Sequence, residues 1–383
     1  MNSCGNMNEI VFINQSVGQL FADVVNEFSR AGYACTLLTG TENDFQLDEK
    51  IKRVFFKKYD RSSIKNRLKT WIVFTCQVRQ YLSKHKIEDL LIVSNPAFAT
   101  LLPLWAKNPY SLLIYDIYPD ALVSTGTLKE DNLFVKWWAK KNKNEIYKNA
   151  KVVYTLSESM AKTLEKYTNR EKIQVIPNWA DTSFLKPINH RNNLWLVEKG
   201  LQDKFVVLYS GNIGNTHKVE NLVDVANALK DRKDIQFIII GEGGKKDVVR
   251  AKIKTLGVDN VLLLPFQDKN IIPYSIGAAD IGVITLDERS STVSVPSKTY
   301  SMLAVGSCLM CIASKTCELS ALVDDYDCGQ VFSSDDVEGM AEYILKMASN
   351  KELLQQKKNN SRKASLNFTP ENAKRYVELF KSE

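Results

Sequence analysis

Apolar residues recur along the chain in short runs that alternate with amphipathic stretches. EIVFIN opens the series as a strand, Gly18 falls in the loop after it, and LFADVVNEFSRAG follows with helical spacing. There Leu20, Val24, Val25 and Phe28 stand at i, i+4, i+5 and i+8, one face of a helix that Gly32 stops. YACTLLTG (33–40) reads as the next strand, completing the strand–helix–strand unit of a doubly wound sheet. DLLIVSN (89–95), YSLLIYDIY (110–118), AKVVYTLS (150–157) and KIQVIPN (172–178) continue the series. Rich in Ile, Val, Leu and Tyr without polar alternation, they predict strands covered by helices on both faces.

The rhythm breaks at PNWADTSFLKPINHRNN (177–193), which holds two Pro and four Asn, and then starts afresh. KFVVLYSGNIG, IQFIIIGEGG, NVLLLPF, DIGVITL and CLMCIA read as strands. VENLVDVANALK, KDVVRAKIKTLG, NIIPYSIGAA and SKTYSMLAVG read as the helices between them, with 336–348 and 370–382 closing the chain. Loops are short, as α/β units require. The pattern predicts two similar α/β domains, residues 1–185 and 186–365, followed by a final helical segment, 366–383.

Composition narrows the class. With 383 residues, 44% apolar and 25% charged, the chain has material for a large core, which excludes disordered, collagen-like and disulfide-framework proteins. No window reaches the roughly 18 consecutive apolar residues of a membrane-spanning helix. The first residues lack a basic region followed by a long apolar stretch, so no secretory leader is expected. Seven scattered cysteines, at 4, 35, 76, 308, 311, 317 and 328, suit reduced thiols in the cytoplasm.

Charge is uneven. Through residue 190 there are 26 Lys and Arg against 19 Asp and Glu, with 25 of each thereafter, so the first half carries the whole excess of +7. Such asymmetry suggests that this half faces something anionic, either nucleic acid or a phospholipid surface. Residues 49–69 interleave nine Lys and Arg with Phe55, Phe56 and Tyr59, and 132–151 interleave six Lys with Phe134, Trp137, Trp138 and Tyr147. Cations beside aromatics suit an anionic membrane surface, with Lys57, Lys58, Trp137, Trp138, Lys140 and Lys141 as expected contacts. The competing reading is a solvated face whose aromatics pack inward. Nucleic acid is not expected, because no binding motif is present.

Three segments can carry chemistry. SGNIGN (210–215) and GEGG (241–244) follow strands, where glycines let the backbone approach an anion or simply close a tight turn. Ligands of open α/β sheets bind along that strand edge. VPSKTYSMLAVG (295–306) puts Pro296 at a helix start, Ser297 at or near its N-cap, and Lys298 and Thr299 in the first turn, either a set suited to a diphosphate or a ribose or an ordinary helix start with a solvated lysine. No metal site is expected: Cys308 and Cys311 lie in an apolar run without a matching pair, and His85, His190 and His217 are dispersed. Asp116 and Asp120 flank IYP after a strand, either as acceptor-binding carboxylates or, for Asp120, as an N-cap.

Together, VLYSGNIGNTHKVENLVDVA, FIIIGEGGKKDVV, NVLLLPFQ, AADIGVITL and VPSKTYSMLAVG, with LLIYDIYPDALVSTGTL and VIPNWADTSFLKP, resemble the retaining glycosyltransferases of family 4. The likeness is to bacterial enzymes of capsule, colanic acid and O-antigen assembly. It implies the GT-B fold, two facing Rossmann-like domains with a central cleft and a C-terminal helix crossing back to the first. It further implies a UDP- or GDP-linked sugar as donor, a lipid-linked saccharide as acceptor, no resident cofactor, and a place on the inner membrane face. By the resemblance Gly211, Asn212, Gly214, Asn215, Gly241, Glu242 and Gly243 lie against diphosphate and sugar, and Pro265 and Phe266 place the base. Pro296, Ser297, Lys298, Thr299 and Ser301 face phosphate or ribose, with Gly18 on the acceptor side. Many members have Arg and Lys five apart where this chain has Asn212 and His217, and two Glu where it has Val293 and Ser301. Lys298 is then the leading catalytic cation, with Lys218 and Arg289 also available, and Asp116 and Asp120 are the candidate carboxylates. Alternative readings are a sugar-nucleotide 2-epimerase of the same fold and a degenerate, non-catalytic partner protein.

Overall fold

A computed structural model describes residues 8–42, 46–60, 62–214, 217–286 and 296–381. The chain forms two compact units, Met1–Asn178 with Pro370–Glu383, and Trp179–Thr369. The boundaries fall at 178/179 and 369/370, against the expected 185/186 and 365/366. The linker explains the first difference: Ala180 and Leu185 are buried with Tyr300, Ala304 and Val305, so its early residues are core of the second unit.

The first unit is built on seven parallel strands: β1 (Glu9–Ile13), β2 (Ala34–Thr39), β3 (Lys52–Phe55), β4 (Asp89–Val93), β5 (Tyr110–Ile114), β6 (Val153–Thr155) and β7 (Ile173–Val175). Their order is β3-β2-β1-β4-β5-β6-β7. Ile10 pairs with Cys35 of β2 on one side and Asp89 of β4 on the other, so strand order reverses beside β1. The helix Asn372–Lys381 completes this unit, its Phe380 ring 5.3 Å from Phe28 on the helix Gln19–Arg30.

In the second unit six parallel strands, β8 (Phe205–Ser210), β9 (Ile235–Ile240), β10 (Val261–Leu264), β11 (Ile281–Thr285), β12 (Cys308–Ile312) and β13 (Gly329–Phe332), run in the order β10-β9-β8-β11-β12-β13. Alternate residues feed two cores: Val207, Tyr209, Phe237 and Val283 on one face, Val206, Leu208, Ile238 and Ile284 on the other. Each fully buried aliphatic side chain contributes about 1.5–3 kcal/mol, which explains why these strands are apolar on both faces. The reversal here lies between β8 and β11, which pair through Val207 and Ile281. Among the described residues no helix is long and apolar enough to cross a membrane.

Candidate active site

Two glycine turns leave the C-terminal ends of β8 and β9 and lock onto each other. Gly211 donates its amide to the Ile240 carbonyl (2.9 Å), Ile213 donates to Glu242 (2.8 Å), and Lys245 donates back to Ile213 (3.0 Å). A Cβ on Gly241 would stand 2.0 Å from the Gly211 carbonyl oxygen, and one on Gly243 would stand 2.4 Å from that of Ile213. Neither backbone could retreat, so both positions require glycine. This mutual pairing engages the amides of Gly211 and Ile213 and leaves other groups to meet a ligand.

Lys298 opens the helix Lys298–Ala304 and reaches over the first turn. Its Nζ donates to Tyr209 Oη (2.9 Å) and lies 4.2 Å from the centre of that ring. A Cβ on Gly211 would come within 2.7 Å of the ammonium, so the glycine admits the lysine. Tyr209 Oη in turn donates to the Asn212 carbonyl (2.7 Å), tying cation and turn together. Desolvation pulls the Lys298 pKa down to about 8 and pushes that of Tyr209 up to about 12. At its far end the helix is clamped by Arg362, which donates to the carbonyls of Ala304 (2.6 Å), Leu185 (3.1 Å) and Thr182 (3.1 Å). A guanidinium there also complements the negative end of the helix dipole.

The other expected donor residues spread around this centre. The side chain of Asn212 lies between the two turns, near Gly214 and Gly243. His217 Nδ1 is 3.4 Å from Thr285 Oγ1 at the end of β11, on the far side of the strand reversal. Lys218, with φ of 43°, instead donates to Ser334 Oγ (2.7 Å), and Glu242 is paired with Lys246 (2.5 Å). Pro265 and Phe266 are exposed just beyond β10, at the edge of the sheet. Pro296 and Ser301 are half-buried, and Ser297 takes the N-cap position without a capping side-chain bond. Thr299 is buried, its Oγ1 lacking a hydrogen-bond partner among the described residues. Asn215, Arg289 and Val293 lie outside the described residues. Tyr209 and Arg362 escaped the sequence reading, one hidden in an apolar strand and the other in a polar helix.

In the first unit the corresponding edge holds a cavity of about 650 Å3 lined by Gln15, Val17, Thr41, Lys57, Lys58 and Asp60, among others. Gly18 caps the adjacent helix, where an added Cβ would meet nothing within 4 Å. Beyond β5, Ser94 Oγ accepts the amides of Tyr115 (2.9 Å) and Asp116 (3.2 Å), which fixes the Asp116 backbone. Asp120 occupies the first turn of the helix Asp120–Ser124, after its N-cap Pro119, and is held by Lys166 and by Tyr167 Oη (2.6 Å).

The expected membrane contacts divide. Lys57 and Lys58 are exposed beside that cavity, whereas Lys140 is exposed on the helix Leu133–Lys141 and Lys141 is paired with Glu145. Trp137 is 40% exposed, but Trp138 is wholly buried, stacked on Tyr118 at 6.0 Å, which corrects its assignment as a surface contact. Val135 and Trp138 share the inward face of the helix, which leaves Phe134 and Trp137 toward solvent.

Residues 17–184 match the family described as Glycosyltransferase Family 4, and residues 195–364 match Glycosyl transferases group 1. The glycosyltransferase WbjE of Pseudomonas aeruginosa, so described, is 24% identical over 361 residues, 88% of this chain and 87% of that protein. WcaI of Escherichia coli, described as a colanic acid biosynthesis glycosyl transferase, is 29% identical over 185 residues, 46% of this chain and 44% of that one. HepE of Anabaena, solved in complex with UDP and glucose, superposes with a TM-score of 0.75 at 16% identity, covering 98% and 99% of the two chains. With a parallel sheet in each unit, glycine turns at the ends of β8 and β9 and these likenesses in hand, the chain belongs to the GT-B glycosyltransferases, its first domain of Family 4 and its second of group 1.

Proposed function

We propose that this glycosyltransferase moves a sugar from a UDP- or GDP-linked donor, held by the second unit, to a lipid-linked saccharide bound by the first. The product would belong to a bacterial surface polysaccharide of capsule or O-antigen type, made at the inner face of the plasma membrane. One observation carries the reading: Lys298 is held 2.9 Å from Tyr209 Oη over the Gly211 turn, at the strand reversal where such sheets take their ligands. The descriptions of WcaI, for polysaccharide, and of HepE, for a uridine nucleotide, support donor and product class.

As the bond from the anomeric carbon to the diphosphate breaks, negative charge grows on the leaving oxygen and the Lys298 ammonium stabilises it. The acceptor hydroxyl attacks from the face the diphosphate leaves, forming the new C–O bond with retention. Its proton passes to the departing phosphate, and nucleoside diphosphate is released. Lysine supplies the positive charge, so the proposed reaction uses no resident cofactor. Asp116 orients the acceptor hydroxyl, while Asp120, engaged by Lys166 and Tyr167, positions the segment that carries it.

Incubation with a panel of UDP- and GDP-sugars and a lipid-diphosphate-linked acceptor should release nucleoside diphosphate with at least one donor. The anomeric configuration of the product, read by NMR, should match that of the donor. Silence across the panel would overturn the reading, inversion would remove its stereochemical part, and donor isomerised without acceptor would favour an epimerase.

A further inference from the structure

Apart from the donor and acceptor regions, the first unit carries an exposed apolar groove of about 430 Å3, lined by Ile72, Phe98, Leu101, Trp105, Phe134 and Trp137. The helix Ile64–Lys84 turns Ile64, Leu68 and Ile72 outward at i, i+4 and i+8, with Ile72 51% exposed. Trp105, 47% exposed, and Leu133, 84% exposed, extend the patch. Its floor is firm: the Phe98 ring meets Trp71 (5.8 Å), Trp138 (5.6 Å) and Phe134 (6.3 Å), so the groove is held open by packed rings. An apolar surface of this kind marks a place that another apolar phase covers.

Charge identifies that phase. The helix Ile64–Lys84 bears Lys65, Arg67, Lys69, Arg79 and Lys84 without one Asp or Glu, and Leu133–Lys141 adds Lys136 and Lys140, its Lys141 being paired with Glu145. Arg79 lies 5.2 Å over the Trp105 ring, a cation above an indole at the rim of the groove. A second copy of this chain would set these cations against their own kind. Anionic headgroups over hydrocarbon match both the basic rim and the apolar floor.

We propose that this groove inserts into the acyl layer of an anionic bilayer and docks the first unit there through Ile72, Trp105, Leu133 and Trp137. The inference rests on the membrane-surface reading above and moves the point of contact away from Trp138, Lys57 and Lys58.

The full chain should bind vesicles of roughly one-third phosphatidylglycerol in phosphatidylcholine, more weakly as salt rises and more weakly still to phosphatidylcholine alone. Brominated acyl chains should quench tryptophan fluorescence in the bound protein. Replacing both reporters, Trp105→Phe with Trp137→Phe, should keep binding and remove most of the quenching. Ile72→Asp with Leu133→Asp should weaken binding about tenfold or more while Tm and UDP binding stay unchanged. Binding without quenching, and unaffected by the Asp pair, would overturn insertion and leave a purely electrostatic membrane contact standing. No binding by the wild type would sink the membrane reading together with the groove, whereas transfer to a detergent-solubilised acceptor would still report on the enzyme. A dimer that Ile72→Asp dissociates would give the groove to a second copy and also overturn the proposal. The quenching arm uses the wild type, so it stands even where a variant fails to fold.

Discussion

Lys298 holds its charge where burial disfavours it. Folding lowers its pKa from 10.5 to about 8, so between those values the unfolded chain binds more protons, and this lysine's contribution to stability grows as pH rises through that window. On the proposed function, a diphosphate bound beside Lys298 should reverse the preference and restore the proton. UDP affinity should therefore hold steady up to about pH 7.5 and then fall by up to about tenfold per pH unit, with proton uptake visible in calorimetry across buffers of different ionisation enthalpy. Lys298→Met should flatten that profile. Tyr209→Phe removes the hydroxyl bridging Lys298 and the Asn212 carbonyl. We expect kcat to fall about tenfold, with stability down by about 1–2 kcal/mol, measured by steady-state kinetics and denaturant unfolding. Lys298 was legible because a Pro–Ser–Lys start before an apolar helix is a local signal. Tyr209 was not, since an apolar strand gives no hint of which hydroxyl meets a distant lysine. Adjacent tryptophans pose a similar limit: only one of Trp137 and Trp138 can point inward, and the tertiary partner Tyr118 decides which.

At the level of elements, the two turns act as one part because their backbones pair across β8 and β9. Gly243→Ala adds a Cβ 2.4 Å from the Ile213 carbonyl at a φ of +151°. It should cost about 2–4 kcal/mol and abolish UDP binding while leaving the first unit folded, as read by hydrogen exchange over the two sheets. The core strands were legible from their apolar runs. Edge strand β3 was not, because KRVF is largely exposed and lysine and arginine at a sheet edge disguise it. The helix Lys351–Ser365 escaped for another reason. It docks through hydrogen bonds, Ser361 to the Ser307 carbonyl (2.6 Å) and Lys358 to Asp280 (3.0 Å), more than through an apolar stripe.

Across the whole molecule, the chain leaves its first unit after residue 178 and returns at 370, so each unit has its own sheet and core. Heating should resolve two transitions, and UDP at a hundredfold excess over Kd should stabilise only the second unit, by about 2.7 kcal/mol. A calorimetric scan with and without nucleotide checks this, and movement of both transitions would contradict the assignment of donor binding to one unit. The two-domain plan was readable because the strand–helix alternation restarts after the linker. Where the linker belongs was not, since Ala180 and Leu185 take their partners from a helix more than a hundred residues on. The most direct test of the account is acceptor-dependent release of nucleoside diphosphate by the wild type and by Lys298→Ala, with the donor that the panel selects. Release is expected only when donor and acceptor are both present, with a loss in kcat of about a hundredfold or more in the variant while its fold stays intact. Equal rates from the two proteins would contradict it.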